Sequence, residues 1–211
     1  MKEKDGVEVY SNENEQVDAL RRFFANNGKA LAVGVVLGIG ALAGWRYWSG
    51  HQDTSSREVS AHYQQLTSAL DGNKPQTLEA VAKFANDNSN TYGALASLDL
   101  AKQYVDKNEL AKAATQLQSG IKHTQNANLQ AVMNLRLARI QLQQKQADEA
   151  LKTLDSIKGE GWTAIVADIR GEALLSKGDK QGARDAWSKG IDSEASPALK
   201  EMMQMKMNNL G

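Results

Sequence analysis

Residues 107–117 read KNELAKAATQL, and the way this stretch recurs decides the architecture. A polar turn leads into strong helix formers, with Ala113 four residues before Leu117. On a helix those two side chains lie one above the other on one face. The small residue lets a neighbouring helix approach, and the large one fills the gap a turn later. The same pair returns as Ala150 and Leu154 in KQADEALKTL, as Ala183 and Trp187 in KQGARDAW and, upstream, as Ala80 and Phe84. Successive alanines stand 33, 37 and 33 residues apart.

That spacing is close to the roughly 34-residue period of tetratricopeptide repeats, whose helix pairs bury their apolar faces by stacking on one another. The preceding helix of each unit shows matching small and larger positions: Ala101 with Tyr104, Ala138 with Gln141, Gly171 with Leu174. The turns between them, VDKNE, QKQAD and SKGDK, are polar. Prolines are almost absent and no strand-like alternation occurs, so the expectation is an all-α chain. Residues 58–211 should form a tetratricopeptide-repeat-like α-solenoid of about four helix pairs. A capping helix from Ser196-Pro197 to about residue 209 should close it. Coincidental periodicity in an alanine-rich bundle is the competing reading. The first unit, about 58–88, fits only in its second helix, and the early tryptophan of the repeat pattern is missing. The methionines Met202, Met203, Met205 and Met207 read as packing, with a client surface as the alternative.

Upstream, residues 30–48 read ALAVGVVLGIGALAGWRYW, with no charge or proline as far as Trp45. As a helix this run is about 28 Å long, close to the roughly 30 Å hydrocarbon core of a bilayer. It reads as a single transmembrane helix. Trp45, Tyr47 and Trp48 around Arg46 suit a headgroup boundary, and Lys29, Arg21 and Arg22 flank the other end. The cationic flank keeps residues 1–29 in the cytoplasm and sends the solenoid across the membrane. Ala30, Gly34 and Gly38 share one ridge and Gly40 pairs with Gly44, so the span has small-residue faces suited to another membrane helix. Two other readings compete. Ala41-Leu42-Ala43 matches a signal-cleavage pattern, which would release the domain by a cut after Ala43, but a 29-residue leader with six acids is unlike a signal n-region. A buried core helix would show a polar face, and this one has none.

The remaining segments are short. Residues 1–15 are polar and acid-rich, too poor in apolar groups to fold alone. From Asn12, a capping-box-like start with Glu15, the residues Val17, Leu20 and Phe24 recur at helical spacing, as an amphipathic helix on the inner leaflet or an extension of the span broken at Asn26-Asn27-Gly28. Residues 49–57 read as a polar linker.

Composition narrows the function. The 211 residues carry 25 basic and 25 acidic side chains, leaving no basic face for nucleic acid. Cysteine is absent, which excludes disulfides and thiolate chemistry. His51, His62 and His123 are scattered without metal-ligand spacing. Gly159-Glu160-Gly161-Trp162 reads as an inter-helix turn whose tryptophan packs down, and Asp148 with Glu149 or Asp168 with Glu172 as solvated or ion-paired faces. Nothing calls for a cofactor, and the chain is not read as an enzyme. A solenoid offers a groove lined by the first helix of each pair. The repeat frame turns Leu95, Leu98, Lys102 and Val105 toward it from one unit. Val132, Leu135, Arg139 and Leu142 follow from the next, and Ile165, Asp168, Glu172 and Leu175 from the third. An apolar floor of this kind suits a helix or extended segment of another protein. It lacks the asparagine and lysine pattern of carboxylate-clamp domains, since Asp99, Arg136 and Ile169 occupy one of the needed positions.

The tail from NENEQVDALRRFF through the span, the segment NTYGALASLDLAKQYVDKNEL and the run TLDSIKGEGW to LLSKGDKQGA together resemble the YfgM family, the ancillary subunit of the bacterial SecYEG translocon. The resemblance implies a single-pass type II inner-membrane protein with a periplasmic domain and no catalytic residues. It implies partnership with the SecYEG translocon and the membrane-anchored periplasmic chaperone PpiD, and with secreted clients passing between them. A link to an envelope-stress response regulator is a weaker implication.

Overall fold

The structure is a computed structural model and describes residues 8–210. It divides into two compact units, Met1–Glu58 and Val59–Gly211. One helix, α1 (Glu8–Ser68), runs through both sequences without interruption. Residues 1–7 of the acid-rich tail lie outside the described residues.

In the first unit, three expectations are corrected. Residues 8–11, read as part of a tail too poor in apolar groups to fold alone, are helical, so Asn12 lies inside α1 rather than at its start. Asn26-Asn27-Gly28 does not break the helix, and residues 49–57, read as a linker, are helical too. The physical reason is common to all three. Once a helix is nucleated, each further residue adds a hydrogen bond, and one interior glycine costs only about 1 kcal/mol. Within α1, Gly28–Trp48 is long and apolar enough to cross a membrane, with a mean hydropathy of 1.6 and no burial against protein. The side chains from Val33 to Trp48 are all exposed.

The second unit is a stack of helical hairpins. The end of α1 faces α2 (Pro75–Asp87), α3 (Thr91–Asp106) pairs with α4 (Leu110–His123), and α5 (Ala127–Gln143) with α6 (Ala147–Asp155). α7 (Thr163–Ser176) pairs with α8 (Lys180–Asp192), and α9 (Pro197–Asn208) closes the stack. This is the expected order of four pairs and a cap. The repeated alanines do what their spacing predicts: Ala113, Ala150 and Ala183 are fully buried, and so in effect are Leu117, Leu154 and Trp187. In the first pair the smaller partner shifts by one residue. Val81 is fully buried beside Phe84, and Ala80 only half-buried. Aromatics fill that end instead, Tyr63 lying 6.2 Å from the Phe84 ring and 5.8 Å from Tyr92. The Tyr63 hydroxyl donates to Asp99 at 2.7 Å. Burial, the hydrogen bond and the nearby carboxylate together push the phenol pKa up.

Each of the three inner turns closes in the same way. Asn108, Lys145 and Gly178 occupy the left-handed region, at φ 59°, 61° and 83°. The next residue's N–H reaches back to Tyr104, Gln141 and Leu174 at 2.7, 2.8 and 3.0 Å, and the left-handed residue's own N–H donates to Val105, Leu142 and Leu175. Both bonds together are the Schellman motif, which satisfies carbonyls that a helix end leaves unpaired. The larger positions of the first helices thus also anchor the turns. Glu160–Trp162 form a short 3₁₀ turn after Gly159, and Trp162 packs onto the cluster of Leu135, Ala138, Leu154 and Ile169, as expected from the sequence.

Candidate functional site

The first helices α3, α5 and α7 carry the face on which the sequence places a groove. α3 begins at Asn90, whose side chain accepts from the N–H groups of Tyr92 and Gly93, and α5 at Asn126, which accepts from Leu129. These caps and the Schellman turns fix both ends of α3 and α5 and the C-terminal end of α7, so side chains along them have a defined direction.

The structure sorts the predicted residues into three groups. Lys102, Val105 and Arg139 line one hollow of about 230 Å³, together with Ala101, Leu117, Arg136, Ile140 and Gln143. Arg139, Leu142 and Glu172 line a second of about 370 Å³, together with Gln143 and Ser176. Arg139 and Gln143 of α5 line both, so the two hollows adjoin along α5. Leu98, Leu142 and Ile165 are half-buried and rest on the adjoining core clusters; Leu95 and Val132 are half-buried and Leu175 is exposed. Leu135 and Asp168 are interior, at 6% and 1% exposure, and present nothing to a partner. Leu135 joins the α5–α7 core because a first helix packs against both its own partner and the next first helix.

Asp168 is occupied from within. Lys206 of α9 donates to Asp168 and to Glu172, each at 2.6 Å, and the Asp168 carbonyl accepts from the Trp187 indole at 3.0 Å. Burial pulls the Lys206 pKa down, but the hydrogen bonds and charges of the two carboxylates outweigh it and hold it above the ordinary lysine value. The closing helix therefore offsets one of the two negative charges at the acidic end of the predicted groove and leaves the other, with Glu172 the more exposed carboxylate. Sequence reasoning missed Lys206, yet the frame contained it. Lys102, Arg139 and Glu172 are equivalent positions in successive first helices, and 34 residues beyond Glu172 lies Lys206. α9 thus occupies the place of a first helix in a fifth unit.

At the other end the cations are not neutralised in this way. Lys102 reaches Asp106 at 2.7 Å on its own helix, whereas Arg136 and Arg139 make no hydrogen bond or ion pair within the described residues. Among the described residues no three histidine, aspartate or glutamate side chains converge as metal ligands. What the face offers is an apolar floor bounded by exposed cations.

Residues 21–211 match the family model described as a tetratricopeptide repeat-like domain. The match starts ahead of the apolar segment, so span and hairpin stack fall within it together. An ancillary SecYEG translocon subunit of Escherichia coli (strain K12) is 67% identical over 204 residues, covering 97% of this chain and 99% of the relative. The chain belongs to the ancillary SecYEG translocon subunit family. A member of that family from Haemophilus influenzae is 34% identical over 96% of this chain and all of its own length. One from Neisseria gonorrhoeae is 21% identical over 94% of this chain. Against these ancillary SecYEG translocon subunits the similarity runs through the apolar stretch of α1 as well as the solenoid. No solved structure matches the chain.

Proposed function

We propose that this protein is a non-enzymatic adaptor of the SecYEG translocon, anchored in the bacterial inner membrane by residues 30–48 with its solenoid on the periplasmic side. The observation that carries the proposal is the near full-length identity to a protein named for that assembly, in a chain joining an apolar exposed helix to a tetratricopeptide-like stack. Tetratricopeptide-like stacks bind proteins through the face described above, and a groove with an apolar floor suits a segment of another chain. The span places that face beside the channel exit, where it receives periplasmic chaperones such as PpiD or emerging clients. The small-residue faces of Ala30, Gly34, Gly38, Gly40 and Gly44 meet a membrane helix of the assembly.

The test is co-purification of the intact protein in mild detergent. SecYEG subunits should accompany it, and should be lost when residues 30–48 are exchanged for an unrelated span while the solenoid stays folded. Their absence from the intact protein would end the proposal. Ala41-Leu42-Ala43 favours the alternative of a solenoid released by cleavage after Ala43. The mass of the mature protein separates the two.

A further inference from the structure

We infer that the hollow between α3 and α5 is a docking site for a short acidic segment of a partner protein, in which one leucine or phenylalanine is flanked by carboxylates. The inference rests on the adaptor reading above and names the chemistry its partner must carry.

The floor of the hollow is made by Ala101, Leu117 and Ile140, all buried, with Val105 at the rim. Its volume, about 230 Å³, exceeds the roughly 150 Å³ that holds a benzene molecule, so one large apolar side chain fits and two do not. Arg136 and Arg139 stand one helical turn apart at its edge. Three cations elsewhere in the stack meet carboxylates on other elements: Arg170 takes Asp155, Lys177 takes Asp148 and Lys206 takes Asp168. The two arginines beside the hollow take none. A guanidinium is charged at every physiological pH and presents a planar fork that matches a carboxylate with two parallel hydrogen bonds. An apolar recess with two such unpaired forks selects an apolar anchor with acids beside it.

The shape favours a polypeptide. Gln143 and Arg139 also line the second hollow, so the two recesses lie side by side along α5 with the Gln143 amide between them able to bond a peptide backbone. That second hollow ends at Glu172, so the acids of the occupant belong over α5 and not over α7. The complementarity also gives a direction across the groove.

The experiment uses the full-length protein in mild detergent and fluorescent peptides of about twelve residues, each with a central leucine. The peptides carry glutamate, glutamine or lysine at the flanking positions, and binding is read by anisotropy. The glutamate peptide should bind about tenfold or more tightly than the other two, and weaken as salt is raised. Arg136→Gln with Arg139→Gln should reduce its affinity about tenfold and abolish the preference over glutamine. Val105→Glu should repel it with both arginines intact. All the changed residues are exposed or at the rim, and helical circular dichroism checks the fold of each variant. Equal binding of the glutamate and glutamine peptides would overturn the inference. So would displacement of the glutamate peptide by dioctanoyl phosphatidylglycerol but not by the phosphatidylcholine analogue, which would make the site a lipid site. A change of oligomeric state in the arginine variants without peptide would also overturn it, by making the face a self-interface. The adaptor reading fails separately, on absence of the SecYEG subunits from the co-purification.

Discussion

Removing the ammonium of Lys206 is the perturbation with the sharpest expected outcome. In Lys206→Met the aliphatic stem is kept while Asp168, 1% exposed, loses the cation that compensates its charge. Deleting one partner of a buried pair costs about 3–5 kcal/mol. Here the lysine end retains 25% side-chain exposure and Glu172 retains 41%, so water restores part of the solvation there. About 2–3 kcal/mol follows, which in a unit of this size lowers the melting temperature by roughly 5–10 °C. The companion variant, Lys206→Met with Asp168→Leu, removes both charges and should recover most of the loss, since an apolar pair of similar volume is often as stable as a buried ion pair. The assay is thermal and guanidinium unfolding of the full chain in detergent, followed by circular dichroism. A cost below about 0.5 kcal/mol for the single variant, or a double variant as unstable as the sum of the two singles, would refute the reasoning.

Three further outcomes follow from the same packing. The non-glycine residue Lys145 sits at φ 61°, so Lys145→Gly should raise stability by about 0.5–1 kcal/mol, whereas Gly178→Ala at φ 83° should lower it by about 1 kcal/mol; paired denaturant melts decide both. An added Cβ at Gly171 would run into the Trp187 ring, so Gly171→Ala should destabilise by about 1–3 kcal/mol and alter tryptophan emission. Because the folded pKa of Lys206 lies above its unfolded value, its contribution is complete below about pH 10.4 and disappears as pH rises through the folded pKa. The melting temperature of the wild type should therefore approach that of Lys206→Met in that alkaline window and stay well above it at neutral pH.

The stack was legible because helical spacing leaves a mark wherever a small residue must admit a neighbour. Ala113, Ala150 and Ala183 are fully buried where the frame puts them, and Leu117, Leu154 and Trp187 fill the space a turn on. The turns were legible as polar stretches but not in their chemistry, since Asn108 and Lys145 hold a conformation that sequence assigns first to glycine. The groove was half legible. The frame brings Lys102, Val105 and Arg139 to one hollow and Arg139, Leu142 and Glu172 to the next, but it does not say which side of a first helix the following unit covers. Leu135 is covered by that unit and Asp168 by α9, and the second would have followed from extending the frame to Lys206. The first unit departs from the pattern because Tyr63, Phe84 and Tyr92 fill its core. That residues 49–57 are helical was not legible, because a polar composition lacks an apolar period whether it is helical or not.

The most direct test of an anchored solenoid facing away from the cytoplasm uses the absence of native cysteine, which makes a single introduced thiol unambiguous. Gln118→Cys places it on an exposed position of α4, and Val17→Cys on an exposed position ahead of the span. In intact spheroplasts treated with a membrane-impermeant maleimide, the account predicts labelling of Cys at 118 alone, with the thiol at 17 reacting only after permeabilisation. Labelling at 17 but not at 118 before permeabilisation would contradict it.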